Sequence, residues 1–225
     1  GFALMAVYNL CGKRAFFPPL TDAGQGVAWA TLVLYGALIV AGHVLALTAL
    51  AAIFVLVFIM LVNGIHGSLR DLANDLRCGV RSTAILLGAR GLGEGGWYLP
   101  PALKGYAWAL QGLLAVLLLV ILVRNDLRYP ARTLALIAPV TLTLFLASCA
   151  LLSAAMTAYR RPDMQAPGVL HVVSSFSSLL VVFLPSLDLG MQVALLAAFV
   201  LPLLSNSWLY GAVAWIWRRG RGVHP

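Results

Sequence analysis

An all-α membrane protein with several transmembrane helices is the fold class this sequence predicts. Hydrophobic residues make up 62% of the 225, charged residues only 10%, and mean hydropathy is +0.95. A soluble domain carries about 25% charged residues. The apolar residues fall into runs close to the roughly 20 that a helix needs to cross a bilayer core. The Lys and Arg residues, fifteen in all, are divided unequally between alternate connections. The net charge of +8 does not indicate nucleic acid. The arginines lie between apolar runs, with no basic stripe and no interleaved aromatics, so they read as orientation signals and anion contacts. The expected surroundings are membrane lipids, and no nucleic-acid partner is expected.

The opening "GFALMAVY" is apolar but too short to span. It reads as the end of a span that starts upstream, so the chain is expected to be an N-terminally truncated piece of one membrane domain covering 1–225. Spans follow at 24–42, 43–63, 102–123, 133–157, 168–185 and 190–216, the last two separated by the turn "PSLDLG". Under strict alternation the connections 9–23, 64–101 and 158–167 share one side with the tail "WIWRRGRGVHP". Twelve of the fifteen cations then lie on that side, and Arg124, Arg128 and Arg132 on the other. Positive residues favour the inner face, which puts the 64–101 loop in the cytoplasm. The expected location is a bacterial cytoplasmic membrane, with the site facing the cytoplasm.

Cys11, Cys78 and Cys149 form no CxxC and no Cys/His cluster, which argues against a disulfide framework or a zinc site. "GARGLGEGG" at 88–96 follows no strand and lacks the Lys-Ser/Thr ending of a phosphate loop, so it reads as a glycine-rich interfacial turn. His66 reads as a helix-end residue at the interface, near enough to the charged loop to reach a bound anion. His171, Ser174, Ser175 and Ser178 form a polar stripe that either faces a cavity or serves close helix packing.

The charge is concentrated in "RDLANDLRCGVRSTAILLG", residues 70–88. If 66–78 continue the preceding span as a helix, Asp71 and Asp75 lie one turn apart on one face. Like charges at that spacing destabilise a helix by roughly 0.2–0.5 kcal/mol. Arg70, Asn74, Arg77 and Arg81 form the adjoining stripe. Leu69, Leu72 and Leu76 form the opposite, packing face, and Gly79 ends the helix. Two readings fit this pattern. In one, the helix is solvated and its charges pair along its own surface. In the other, the carboxylates hold Mg²⁺, a hard ion that prefers oxygen, and the arginines take the oxygens of a bound diphosphate.

"DLANDLRCGVRSTAILLG" resembles the second aspartate-rich motif of the UbiA superfamily of intramembrane prenyltransferases. The matching positions are Asp71, Asp75, Arg77, Gly79, Arg81, Thr83 and Gly88. "VYNLCGKR" at 7–14 resembles an earlier loop of the same family. The resemblance implies a helix bundle around a central cavity, with two Asp-rich cytoplasmic loops holding a polyprenyl diphosphate through Mg²⁺. It implies Asp71 and Asp75 as catalytic magnesium ligands. Lys13, Arg77 and Arg81 would contact the diphosphate, and Tyr8 and Asn9 would line the substrate pocket. The first motif is absent from these residues, Gly67 stands where some members carry another Asp, and Asn9 stands where serine is frequent. The implied reaction transfers a prenyl group to an acceptor, an aromatic quinone precursor or a lipid, and the piece alone is expected to be inactive. A terpene cyclase on the same scaffold and a non-catalytic lipid-binding or transport protein are the alternatives. Aromatic faces that could stabilise a carbocation include Trp29, Tyr106 and Trp108.

Overall fold

The computed structural model describes Ala6 and residues 17–92, 96–158, 166–198 and 200–201. The chain divides into two units, 1–182 and 183–225. Among the described residues five helices are long and apolar enough to cross a membrane. These are α1 (Pro18–Ala41), α2 (Ala46–Leu61, the first part of a span that runs on to Arg70), α6 (Pro101–Arg124) and α7 (Ala131–Ala158) in the first unit, and α8 (Ala166–Phe183), which lies in the first unit up to Val182. Between α2 and α6 lie a π-helical turn (Val62–Gly67), the short helices α3 (Ser68–Arg70), α4 (Leu72–Arg77) and α5 (Thr83–Leu86), and the strands β1 (Arg90–Leu92) and β2 (Gly96–Tyr98).

The first helix begins before the apolar run does. Pro18 and Pro19 occupy its opening positions, where a fixed φ suits the helix and the missing N–H costs nothing. Thr21 and Asp22 are therefore helical, though they precede the start at residue 24 that hydropathy suggests. α1 packs closely on α2 because its facing residues are small. Gly26, Ala28 and Ala30 are buried, as are Ala51 and Ala52. A Cβ on Gly26 would fall 2.6 Å from the Leu56 carbonyl oxygen. Lipid provides no hydrophobic drive between helices, so backbone approach of this kind supplies the contact.

The other end of the first unit is closed by the connection from α6 to α7. The start of α2 (Leu47), the end of α6 (Ile121), Asn125, Asp126 and Tyr129, and the end of α8 (Val182) meet there. Tyr129 donates from its hydroxyl to the Val182 carbonyl at 2.9 Å. A core of Ile65, Leu69, Leu72, Ala84, Leu103, Ala107, Leu152 and Met156 anchors the short helices of the 64–101 loop beneath the ends of the spans.

Two expectations are corrected here. The glycine-rich segment 88–96 is not a plain turn: Arg90–Leu92 pairs with Gly96–Tyr98 as an antiparallel hairpin. Arg90 lies over the Tyr98 ring, 4.9 Å from its centroid, a cation–π contact that fixes the pair. In addition, Leu76 does not share the packing face with Leu69 and Leu72. It is 41% exposed, whereas they are 2% and 0%.

The second unit, by itself, begins with Phe183 and a tight turn (Leu184–Ser186), followed by the apolar helix α9 (Leu189–Ala198). The Asp188 carboxylate accepts from the Met191 N–H at 2.9 Å and caps that helix. The expected span 190–216 lies mostly outside the described residues.

Candidate functional site

The charged stretch folds as a helical ledge that stops abruptly. α4 ends in two bonds, Val80 N–H to the Asp75 carbonyl at 2.9 Å and Gly79 N–H to the Leu76 carbonyl at 3.4 Å. This is a Schellman closure, and it needs a left-handed residue at Gly79, whose φ is +63°. The chain then reverses, so that Arg81, Ser82 and Thr83 come back beside Asp71 and Asp75.

These residues wall a cavity of about 100 Å³ at the end of α2. Its lining includes Asp22 and Thr21 from α1, Asn63 and Gly67 from the π-helical turn, and Ser68 from α3. Arg70, Asp71 and Asp75 come from the ledge, Arg81 and Ser82 from the segment that leads into α5, and Thr83 from its start. Three carboxylates and two guanidinium groups thus face one polar space. Asp75 is 3% exposed. Asp71 is more open and takes a paired contact from Arg70, with Nε at 3.0 Å from one carboxylate oxygen and an NH2 nitrogen at 3.3 Å from the other.

Asp22 was not among the residues the sequence singled out. It is 5% exposed, and its carboxylate accepts the Thr83 hydroxyl at 2.5 Å. That bond ties the segment carrying Arg81 and Thr83 to α1. Gly64 makes room for it, since a Cβ there would lie 2.9 Å from an Asp22 carboxylate oxygen and 3.5 Å from the Tyr106 ring. Asn63 donates to Gln25 and so links α2 to α1 one helical turn away. The only early signs of this arrangement were the scarcity of acids and the presence of Thr83 in the motif.

Of the residues named from sequence, Asp71, Asp75 and Arg81 are brought together. Arg77 is exposed and is not part of the cavity wall. Tyr8, Asn9 and Lys13 lie outside the described residues. Trp29 and Trp108 are 43% and 42% exposed, as lipid-facing residues would be, while Tyr106 is half-buried beside Gly64.

No family model, curated protein or solved structure matches this chain. The site's chemistry therefore rests on its own geometry. Its donor atoms are oxygens, which suits a hard divalent cation. Among the described residues no three His, Cys, Asp or Glu side chains converge to hold an ion. A cation bound by one or two carboxylates must complete its shell with water and the oxygens of an anionic ligand. That is how Mg²⁺ binds phosphates.

His66 is the remaining correction. It is not an interfacial helix end: it is 9% exposed, with Nε2 2.8 Å from Nδ1 of His171. Of the serines expected in a stripe with His171, Ser175 and Ser178 are fully buried, and Ser174 bonds to carbonyls of its own helix.

Proposed function

We propose that this chain carries a Mg²⁺-dependent prenyl-diphosphate site at one end of a bundle of membrane spans. It would transfer the prenyl group to an acceptor, an aromatic quinone precursor being the acceptor class that the resemblance of "GVRSTAILLG" suggests. The observation that carries this reading is the burial of Asp75, at 3% exposure, in a cavity that it shares with Asp22, Asp71, Arg70 and Arg81. A helix whose charges merely face solvent has no reason to bury a carboxylate, because an ionised group loses several kcal/mol of hydration on burial.

In this reading Asp71 and Asp75 hold the cation, and Arg81 takes diphosphate oxygens. Bound Mg²⁺ would supply charge stabilisation to the departing diphosphate. Arg70 has a double function. It is occupied by Asp71 in this structure, and its guanidinium fork matches a phosphate equally well. Thr83 orients the returning segment and the start of α5 through Asp22. The apolar spans exclude water from the reacting carbon, which protects an allylic cation from hydrolysis.

The Arg70–Asp71 pair also supports a second reading, a non-catalytic membrane protein in which the ledge is simply an ion-paired helix end. Calorimetric titration of the detergent-solubilised chain with a non-hydrolysable prenyl thiodiphosphate separates the two. Binding that needs Mg²⁺ and is lost on adding EDTA supports the prenyl-diphosphate site. Absence of binding with and without Mg²⁺ supports the ion-paired helix.

A further inference from the structure

Two features unused by the proposed site meet at His66. The first is the π-helical turn Val62–Gly67, which joins α2 to the ledge that carries the acidic pair. A π-turn inserts one residue relative to an α-helix, and such turns are frequent at functional sites. One residue corresponds to about 100° of rotation for everything that follows it.

The second feature is a chain of buried polar side chains drawn from four spans. Ser148 of α7 donates to the Phe145 carbonyl at 2.6 Å, so it accepts from Gln111 Nε2 of α6 at 2.8 Å. Gln111 Oε1 then accepts from His171 Nε2 of α8 at 3.1 Å, with Ser175 Oγ 3.3 Å from the same nitrogen. His171 Nδ1 is left as the acceptor for His66 Nε2–H at 2.8 Å. Each donor is assigned by working back from a backbone carbonyl. Ser148, His171 and Ser175 are 0% exposed and Gln111 is 1%. Breaking such a chain inside the spans leaves buried polar groups unpaired, so it is a fixed point for the end of α2.

The rotation matters because of what it turns inward. Leu69, Leu72 and Asp75 are buried, while Ala73, Asn74 and Leu76 are exposed. Wound as an unbroken α-helix, the same residues would each take their successor's place. Asp75 would move to the exposed position of Leu76, and Asn74 to the buried position of Asp75.

We propose that the π-helical turn, pinned by the His66–His171 hydrogen bond, sets the rotation that faces Asp71 and Asp75 into the cavity, which makes His66 a positioning residue for the acidic pair. What the pair binds rests on the prenyl-diphosphate reading; the rotation does not. The test uses the chain with Cys11, Cys78 and Cys149 replaced by serine. A single cysteine at Asn74 reacts readily with a polar maleimide in the parent. His66→Leu removes the pin and lets the turn relax to α, which turns that cysteine inward and slows its reaction by about tenfold or more, because reaction then waits on local opening. Deleting Val62 in the same variant takes out the inserted residue and restores the parent rate. In the parent sequence, His66→Leu speeds amide exchange across 62–71 but not across 50–58, and raises the Mg²⁺–prenyl thiodiphosphate Kd. His66→Gln keeps an N–H for His171 and restores both. If the deletion variant does not fold, the two His66 variants decide. Labelling at Asn74 in His66→Leu equal to the parent's, or exchange in His66→Leu equal to the parent's, overturns the proposal. If labelling and exchange change as expected but the parent never binds the thiodiphosphate, the functional reading falls and the positioning of the pair stands.

Discussion

Asp22 and Thr83 show how one hydrogen bond holds a loop to a helix, and what its loss should do. Asp22→Asn keeps an acceptor oxygen for the Thr83 hydroxyl, so folded yield should stay near the parent's. Asp22→Leu leaves that hydroxyl buried without a partner, since Thr83 is 1% exposed. A cost of about 1–3 kcal/mol follows. It is measurable as a lower unfolding midpoint in detergent, and equal midpoints for the two variants would refute the role. Arg81 lines the cavity. Arg81→Ala should weaken prenyl thiodiphosphate binding by roughly tenfold, about 1.4 kcal/mol, while leaving Mn²⁺ binding nearly unchanged. Equal losses for metal and anion would place Arg81 in structural support instead.

Among the elements, the contact of α1 with α2 and the turn that ends α2 govern the site. Gly26→Ala drives a methyl against the Leu56 backbone, which cannot move aside as a side chain can. It should destabilise the chain by about 1–3 kcal/mol, as overpacking does. Gly36→Ala, with nothing within 4 Å of the new Cβ, should be neutral or slightly stabilising because alanine favours helix. A thermal midpoint for Gly26→Ala at or above that of Gly36→Ala would contradict the close packing. The sequence pattern located five of its six expected spans among the described residues because apolar length is a local property. It misplaced Leu76 because it assumed an unbroken 3.6-residue repeat from Leu69 to Leu76, and the bend at Asp71 breaks that repeat. It started α1 too late because Thr21 and Asp22 are polar, and they are polar because they face the cavity and not lipid. The hairpin at Arg90–Tyr98 was missed because its strands are three residues each, too short to show alternation.

For the molecule as a whole, alternating spans carry the ledge at one end of the first unit and the Asn125–Pro130 connection at the other. Single cysteines at Asn74 and Asp126, in a cysteine-free background, should be labelled by an impermeant maleimide from opposite faces of the membrane. The Asn74 cysteine should be reached from the cytoplasm. Labelling of both from one side would overturn the alternation. The acidic pair and Arg81 were legible in the sequence because their spacing lies within one stretch. Asp22 was not, because its partner lies 61 positions away, nor was the His66–His171 bond, which spans 105. Contacts of that range leave no periodic mark. Whether the carboxylates at the ledge hold a metal-bound diphosphate decides the function. The most direct test is calorimetric titration of the parent, Asp71→Asn and Asp75→Asn with a prenyl thiodiphosphate, with and without Mg²⁺. We predict Mg²⁺-dependent binding in the parent and about a tenfold or greater loss in each variant, since each removes one anionic ligand and keeps its size. Binding by both variants equal to the parent's, or binding indifferent to Mg²⁺, would contradict it.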